Sequence, residues 1–137
     1  MVDPAAQAAL ATRPQACSRV FPATAAQVPQ ARRFLARMLG DAPAAADAVL
    51  CLSELAANAV LHSNSARPGG QFTIHATLRS GVLRVEVTDG GGRWQQRPHP
   101  NRHGGRGFVI VNALARAWGI ADDGITSRTA WFEIAVS

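Results

Sequence analysis

The sequence predicts an α+β fold, a two-layer sandwich with helices on one face of a β-sheet. Three observations predict it. First, Phe72, Ile74, Ala76 and Leu78 alternate with polar residues, and so do Leu83, Val85 and Val87, the period of half-buried strands. Second, apolar residues recur at helical spacing twice before these strands and once after them. Third, the chain closes on another alternating pair, so the helices have antiparallel hairpins to cover.

Taken in order, residues 1–14 form a flexible tail and residues 15–137 a single domain, a length that can bury a core without disulfide or metal staples. Gln15 to Ala23 reads as a short strand cut by Pro22. Pro29 suits the first turn of a helix, whose Phe34, Leu35, Met38 and Leu39 give one apolar face before Gly40. Asp41 is placed to cap a second helix, with Pro43 in its first turn, running to about His62. Ser80-Gly81 is a tight turn that makes residues 71–88 a hairpin. After a glycine-rich stretch, Phe108, Val109, Val111, Leu114, Ala115 and Trp118 form a third helix face ending at Gly119. A last hairpin turns at Asp122-Asp123-Gly124 and puts Ala130, Phe132, Ile134 and Val136 on one face.

The composition, 47% hydrophobic and 17% charged, is that of a globular chain and argues against wholesale disorder. The net charge of +5 rests entirely on arginine, with no lysine in the chain. That bias, alongside abundant Ala, Gly and Pro, weakens any inference from a single arginine. A nucleic-acid-binding domain ranks low, because aromatics are 6% and fall mostly in apolar phase instead of forming a stacking platform. Cys17 and Cys51 have neither metal-ligand spacing nor a disulfide framework, and read as two buried or half-buried reduced thiols. The N-terminus lacks the features of a signal peptide, and no apolar run approaches the ~20 residues of a membrane span. The expected location is cytoplasmic.

The second helix carries a polar stripe. With Leu52, Leu55, Ala56 and Ala59 on the core side, Glu54 and Asn58 fall one turn apart on the opposite stripe, with Asp47 and His62 in the same row. A solvated face is the ordinary account of such a row. Two later segments change its weight. Asp89-Gly90-Gly91-Gly92 puts an acid at a strand end with backbone able to approach a ligand, although a turn alone would also explain Asp-Gly. Gly104-Gly105-Arg106-Gly107 opens a helix, where backbone N–H groups and the helix dipole hold phosphate. The chain has no Gly-Lys-[Ser/Thr], so this is not a Walker A loop.

In this order the three segments resemble the nucleotide site of the GHKL (Bergerat-fold) ATPase superfamily. Glu54 to His62 (ELAANAVLH) resembles its N box, Asp89-Gly90-Gly91 its first glycine box and Gly104 to Gly107 its second. The size, with ELAANAVLHS and GGRGFVIVNALARAWG, is similar to the anti-sigma-factor serine/threonine kinase family, and the likeness runs from about Pro22 to the C-terminus. The resemblance implies a histidine-kinase-like fold with a mixed, mainly antiparallel sheet.

The resemblance also implies roles. Asn58 would ligate Mg²⁺ through its side-chain oxygen, the donor a hard cation accepts beside waters and phosphates. Asp89 would accept a hydrogen bond from the adenine amino group of ATP, and Gly91 would leave room for the purine. Gly104, Gly105, Arg106 and Gly107 would hold the phosphates and let a lid, Arg93 to His103, fold over them. Thr129 matches the threonine that shares the aspartate's water network, though a strand threonine without a role fits equally. Glu54 would be the general base toward an acceptor serine on a partner, or toward water in an ATPase. His62 matches the motif's end and is equally a helix-terminal packing or capping residue. Arg93 stands where many relatives have glycine, which implies a stiffer start to the lid. The implied partners are a sigma factor and a STAS-type anti-sigma antagonist, with a homodimer possible and neither membrane nor nucleic acid expected. The alternative is a nucleotide-binding regulatory module with little or no kinase activity that sequesters a partner protein.

Overall fold

The computed structural model describes residues 14–62, 69–90, 103–122 and 127–136. The expected tail (all but Pro14), Gly91, most of the lid and the Asp123-Gly124 turn lie outside these residues. Strand β1 (Gln15–Pro22) leads through a 3-10 turn (Ala25–Gln27) into helix α1 (Val28–Leu39). Helix α2 (Ala45–His62), strands β2 (Gln71–Arg79) and β3 (Val82–Asp89), helix α3 (His103–Leu114) and strands β4 (Ala117–Asp122) and β5 (Arg128–Ala135) follow. The sheet order is β1-β2-β3-β5-β4. All four pairings are antiparallel, where a mixed sheet was expected. Hairpins link β2 to β3 and β4 to β5, and β5 returns beside β3, so no described strand pair needs a parallel crossover.

Alternation decides the layers. Phe72, Ile74, Ala76 and Leu78 of β2, Leu83, Val85 and Val87 of β3, and Phe132 and Ile134 of β5 are buried on one face. The helices cover that face: α2 packs on β2, β3 and β5 and lies between α1 and α3. Phe21 stacks on Phe72 with ring centroids 5.4 Å apart and meets Phe34 edge-on at 5.9 Å, which ties the edge strand and α1 to the sheet. On the other face Arg84 joins Glu86 at 3.2 Å and Glu133 at 3.1 Å and lies 4.1 Å from the ring centroid of Trp131. The β2–β3 turn has positive φ at both Ser80 (53°) and Gly81 (75°), the handedness that matches strand twist in two-residue hairpins.

Three local expectations are corrected. Asp41 and Pro43 lie in the turn between α1 and α2, and neither is within the helix, which begins at Ala45. Trp118 is in β4, not in α3. The helix stops at Leu114, Arg116 N–H donates to Glu133 C=O at 2.8 Å, and the chain joins the ladder. Trp118 then stacks on Phe108 at 5.1 Å, and its indole N–H donates to Asn112 Oδ1 at 2.9 Å. An apolar row that reads as one helix is therefore shared between a helix and the strand beside it. Cys17 is exposed on the edge strand, while Cys51 is buried.

Candidate functional site

A core of this size tolerates few buried polar groups, because each loses its water and needs a partner. Among the described residues the buried polar and charged ones are Asn58, Asp89 and Arg128. Asn58 belongs to α2, Asp89 ends β3 and Arg128 begins β5.

Asn58 is 6% exposed, so it does not lie on a solvated face, the ordinary account of its row. At about 100° per residue, Asn58 is only ~60° from Leu55 and ~20° from Cys51, so it borders the core face. Its Nδ2 has no hydrogen-bond partner among the described residues. Glu54, one turn earlier, is half-buried, and Asp47 is exposed. Asn58 and Glu54 thus share a helix edge where one side chain is dry and the other reaches solvent. The Cys51 thiol is pushed up to about 11, first by burial and then by the negative charges of Asp47 and Glu54.

Asp89 continues the inward row Leu83, Val85, Val87. It faces Arg128 across the β3–β5 ladder, and Arg128 Nη2 donates to Asp89 Oδ2 at 2.5 Å. Both side chains are 4% exposed. A charge-assisted hydrogen bond of this kind is what permits two ionised groups to stay buried. Thr129 is one residue on and therefore points to the other face. There its Oγ1 lies 2.8 Å from that of Thr88, its cross-strand neighbour. Thr129 and Asp89 thus face opposite sides of the sheet.

Gly104, Gly105, Arg106 and Gly107 lie in the first turns of α3, as expected for the second box, and α3 packs against α2. The side chains of Arg106 and His62 are outside the described part of the structure, as is Gly91. Sequence reasoning passed over Arg128. The signal was present: Ala130, Phe132, Ile134 and Val136 share the inward face, and period two carries that face back to Arg128. An inward arginine demands a buried anion, and Asp89 is the residue across the ladder.

The histidine kinase-like ATPase domain family matches residues 21–130. The chain belongs to this family. As a histidine kinase-like ATPase domain it is a GHKL-superfamily member, and membership implies ATP binding. Among solved structures it is similar to the histidine kinase domain of the blue-light activated histidine kinase from Erythrobacter litoralis EL346. The likeness has a TM-score of 0.53 at 20% sequence identity and covers 81% of this chain and 60% of that one. The likeness at that identity is one of fold, and this histidine kinase-like ATPase domain spans less than two thirds of the solved chain's length. No curated protein matches the chain.

The residues fit a Mg-nucleotide in donor chemistry. Asn58 holds a buried amide whose nitrogen lacks a partner among the described residues, so a phosphate oxygen could accept from it while its oxygen serves a hard cation. Among those residues no group of three or more His, Cys, Asp or Glu could hold a metal by itself. None of the described helices is long and apolar enough to cross a membrane.

Proposed function

We propose that this chain is a Mg-ATP-dependent protein serine kinase of the anti-sigma type, acting in the cytoplasm on a STAS-type antagonist and sequestering a sigma factor. The observation that supports it is the identity of the buried polar residues. Two of the three, Asn58 and Asp89, are the metal and base ligands implied by the motifs ELAANAVLH and DGG. Bound Mg-ATP would supply the transferable phosphoryl group and neutralise its charge. Asp89 orients the base. Asn58 holds the cation through its oxygen. Glu54, half-buried one turn away, reaches solvent and can orient the hydroxyl of an acceptor serine.

A second reading, a regulatory module with little or no transfer, is favoured by the Asp89–Arg128 pair, because the base-reading carboxylate already holds a counter-ion. The two separate in one assay. The chain is incubated with ATP, Mg²⁺ and the antagonist, and phosphoserine on the antagonist is read by mass spectrometry. Transfer that Glu54→Ala abolishes, with ATP binding kept, is expected of the kinase. Saturable ATP binding without transfer would leave the module as the function.

A further inference from the structure

Both edges of the sheet are open among the described residues, and the two edge strands differ in how they are guarded. An edge strand offers N–H and C=O groups to any other strand, and proteins commonly blunt such an edge with charge or proline. Strand β1 (QACSRVFP) carries both, in Arg19 and Pro22. Strand β4 (AWGIAD) has no proline, and no charge before its last residue, Asp122. Trp118 and Ile120 pair with Phe132 and Ala130 of β5, so both point to the helix-covered face. The helices stop short of that edge. Trp118 is 36% and Ile120 45% exposed, and Val109 on the neighbouring α3 is 68% exposed. Stacking of Phe108 on Trp118 and the bond from its indole to Asn112 join helix and strand into one apolar corner.

We propose that β4 is a homodimerisation edge, pairing antiparallel with β4 of a second copy about a twofold axis at Gly119. The strand is self-complementary in that register. Trp118 lies opposite Ile120 of the second copy and Ile120 opposite its Trp118, the aromatic and β-branched pairing that cross-strand neighbours favour. At each end Arg116, which also joins Glu133 at 3.7 Å, stands opposite Asp122, so charges of opposite sign meet. An axis one residue earlier would set Ile120 against Arg116, and one residue later Trp118 against Asp122; either spends an apolar residue on a charged one. Pairing at Gly119 joins the two sheets into one, with both helical layers on the same side. A single strand pair with one apolar corner is smaller than a standard interface of about 1,600 Å², so the dimer is weak and forms by mass action.

The test is light scattering after size exclusion, with the full chain loaded from about 5 µM to about 500 µM. The mass of the wild type should climb with concentration from 14.4 kDa toward twice that value. Ile120→Lys sets a charge in the middle of the edge and should raise the dissociation constant by about tenfold or more. Ile120→Thr keeps a strand-forming residue without the apolar bulk, and serves if the lysine variant does not melt cooperatively. Register is read with two chains, Ala117→Cys and Ala121→Cys, each also carrying Cys17→Ser, mixed and oxidised. Residues 117 and 121 of different copies stand opposite each other, within disulfide reach, so the mixed pair should cross-link in preference to either chain with itself. A wild type that stays at 14.4 kDa throughout overturns the proposal. So does a dimer that neither Ile120 variant weakens, or self-linking of either cysteine chain in preference to the mixed pair.

Discussion

The hydroxyls of Thr88 and Thr129 lie 2.8 Å apart across the β3–β5 ladder, one residue along from the Asp89–Arg128 pair and on the other face of the sheet. Strand alternation thus separates two neighbouring cross-strand pairs into one that faces the helices and one that does not. Replacement of Thr129 by valine should leave ATP affinity unchanged. It should cost about 1 kcal/mol of stability, the net worth of a part-buried hydrogen bond. Calorimetric titration beside urea unfolding measures both. A large loss of ATP affinity would return Thr129 to the nucleotide site.

Asp89→Asn is expected to weaken ATP binding more than Glu54→Ala does. On the proposed function, the first removes the charge that would read the base and that holds Arg128, and the second a half-buried group that would serve only transfer. Asp89→Asn should also destabilise the fold by roughly 3 kcal/mol, because a buried guanidinium loses its anion. Comparable ATP affinities in the two variants would count against the assignment of Asp89.

The Cys51 thiol gives a pH prediction with a clean background. Its pKa is raised to about 11 in the folded chain, above the ordinary 9.0. A raised acid of this kind adds stability that is complete below the unfolded pKa and is lost as pH climbs through the folded one. Stability should therefore fall between about pH 9 and pH 11. The chain has neither lysine nor tyrosine, so few other groups titrate there. Urea unfolding of Cys51→Ala across that window should show a flatter profile; an unaltered slope would assign the fall elsewhere. At pH 8 an alkylating reagent should modify exposed Cys17 and spare Cys51 until the chain unfolds.

Gly119 sits under the indole of Trp131, where an added Cβ would lie 2.8 Å from Nε1. That ring is also held from the neighbouring strand by Arg84. Gly119→Ala should displace the indole, destabilise the protein by about 1–2 kcal/mol and alter tryptophan fluorescence. Unfolding midpoints and emission spectra that match the wild type would show that the ring moves at no cost.

The sequence by itself determined the order of strands and helices and the inward faces of β2, β3 and β5, because period-two and helical patterns are local and survive without a partner. It also determined which residues of α2 and β3 to watch, since Asn58 and Asp89 stand in motifs that need no knowledge of packing. Tertiary structure decided what those residues meet. Whether Asn58 is wet or dry depends on how far α1, α3 and the sheet wrap around α2, and a helical wheel places it only at a border. Trp118 reads as the end of a helix because contact with Phe108 has the same apolar requirement from either element. The pairing of Asp89 with Arg128 depends on the register between β3 and β5, strands separated in the chain by α3 and β4. Alternation can say that both residues point inward; the long-range ladder alone puts them opposite one another, with their charges buried together.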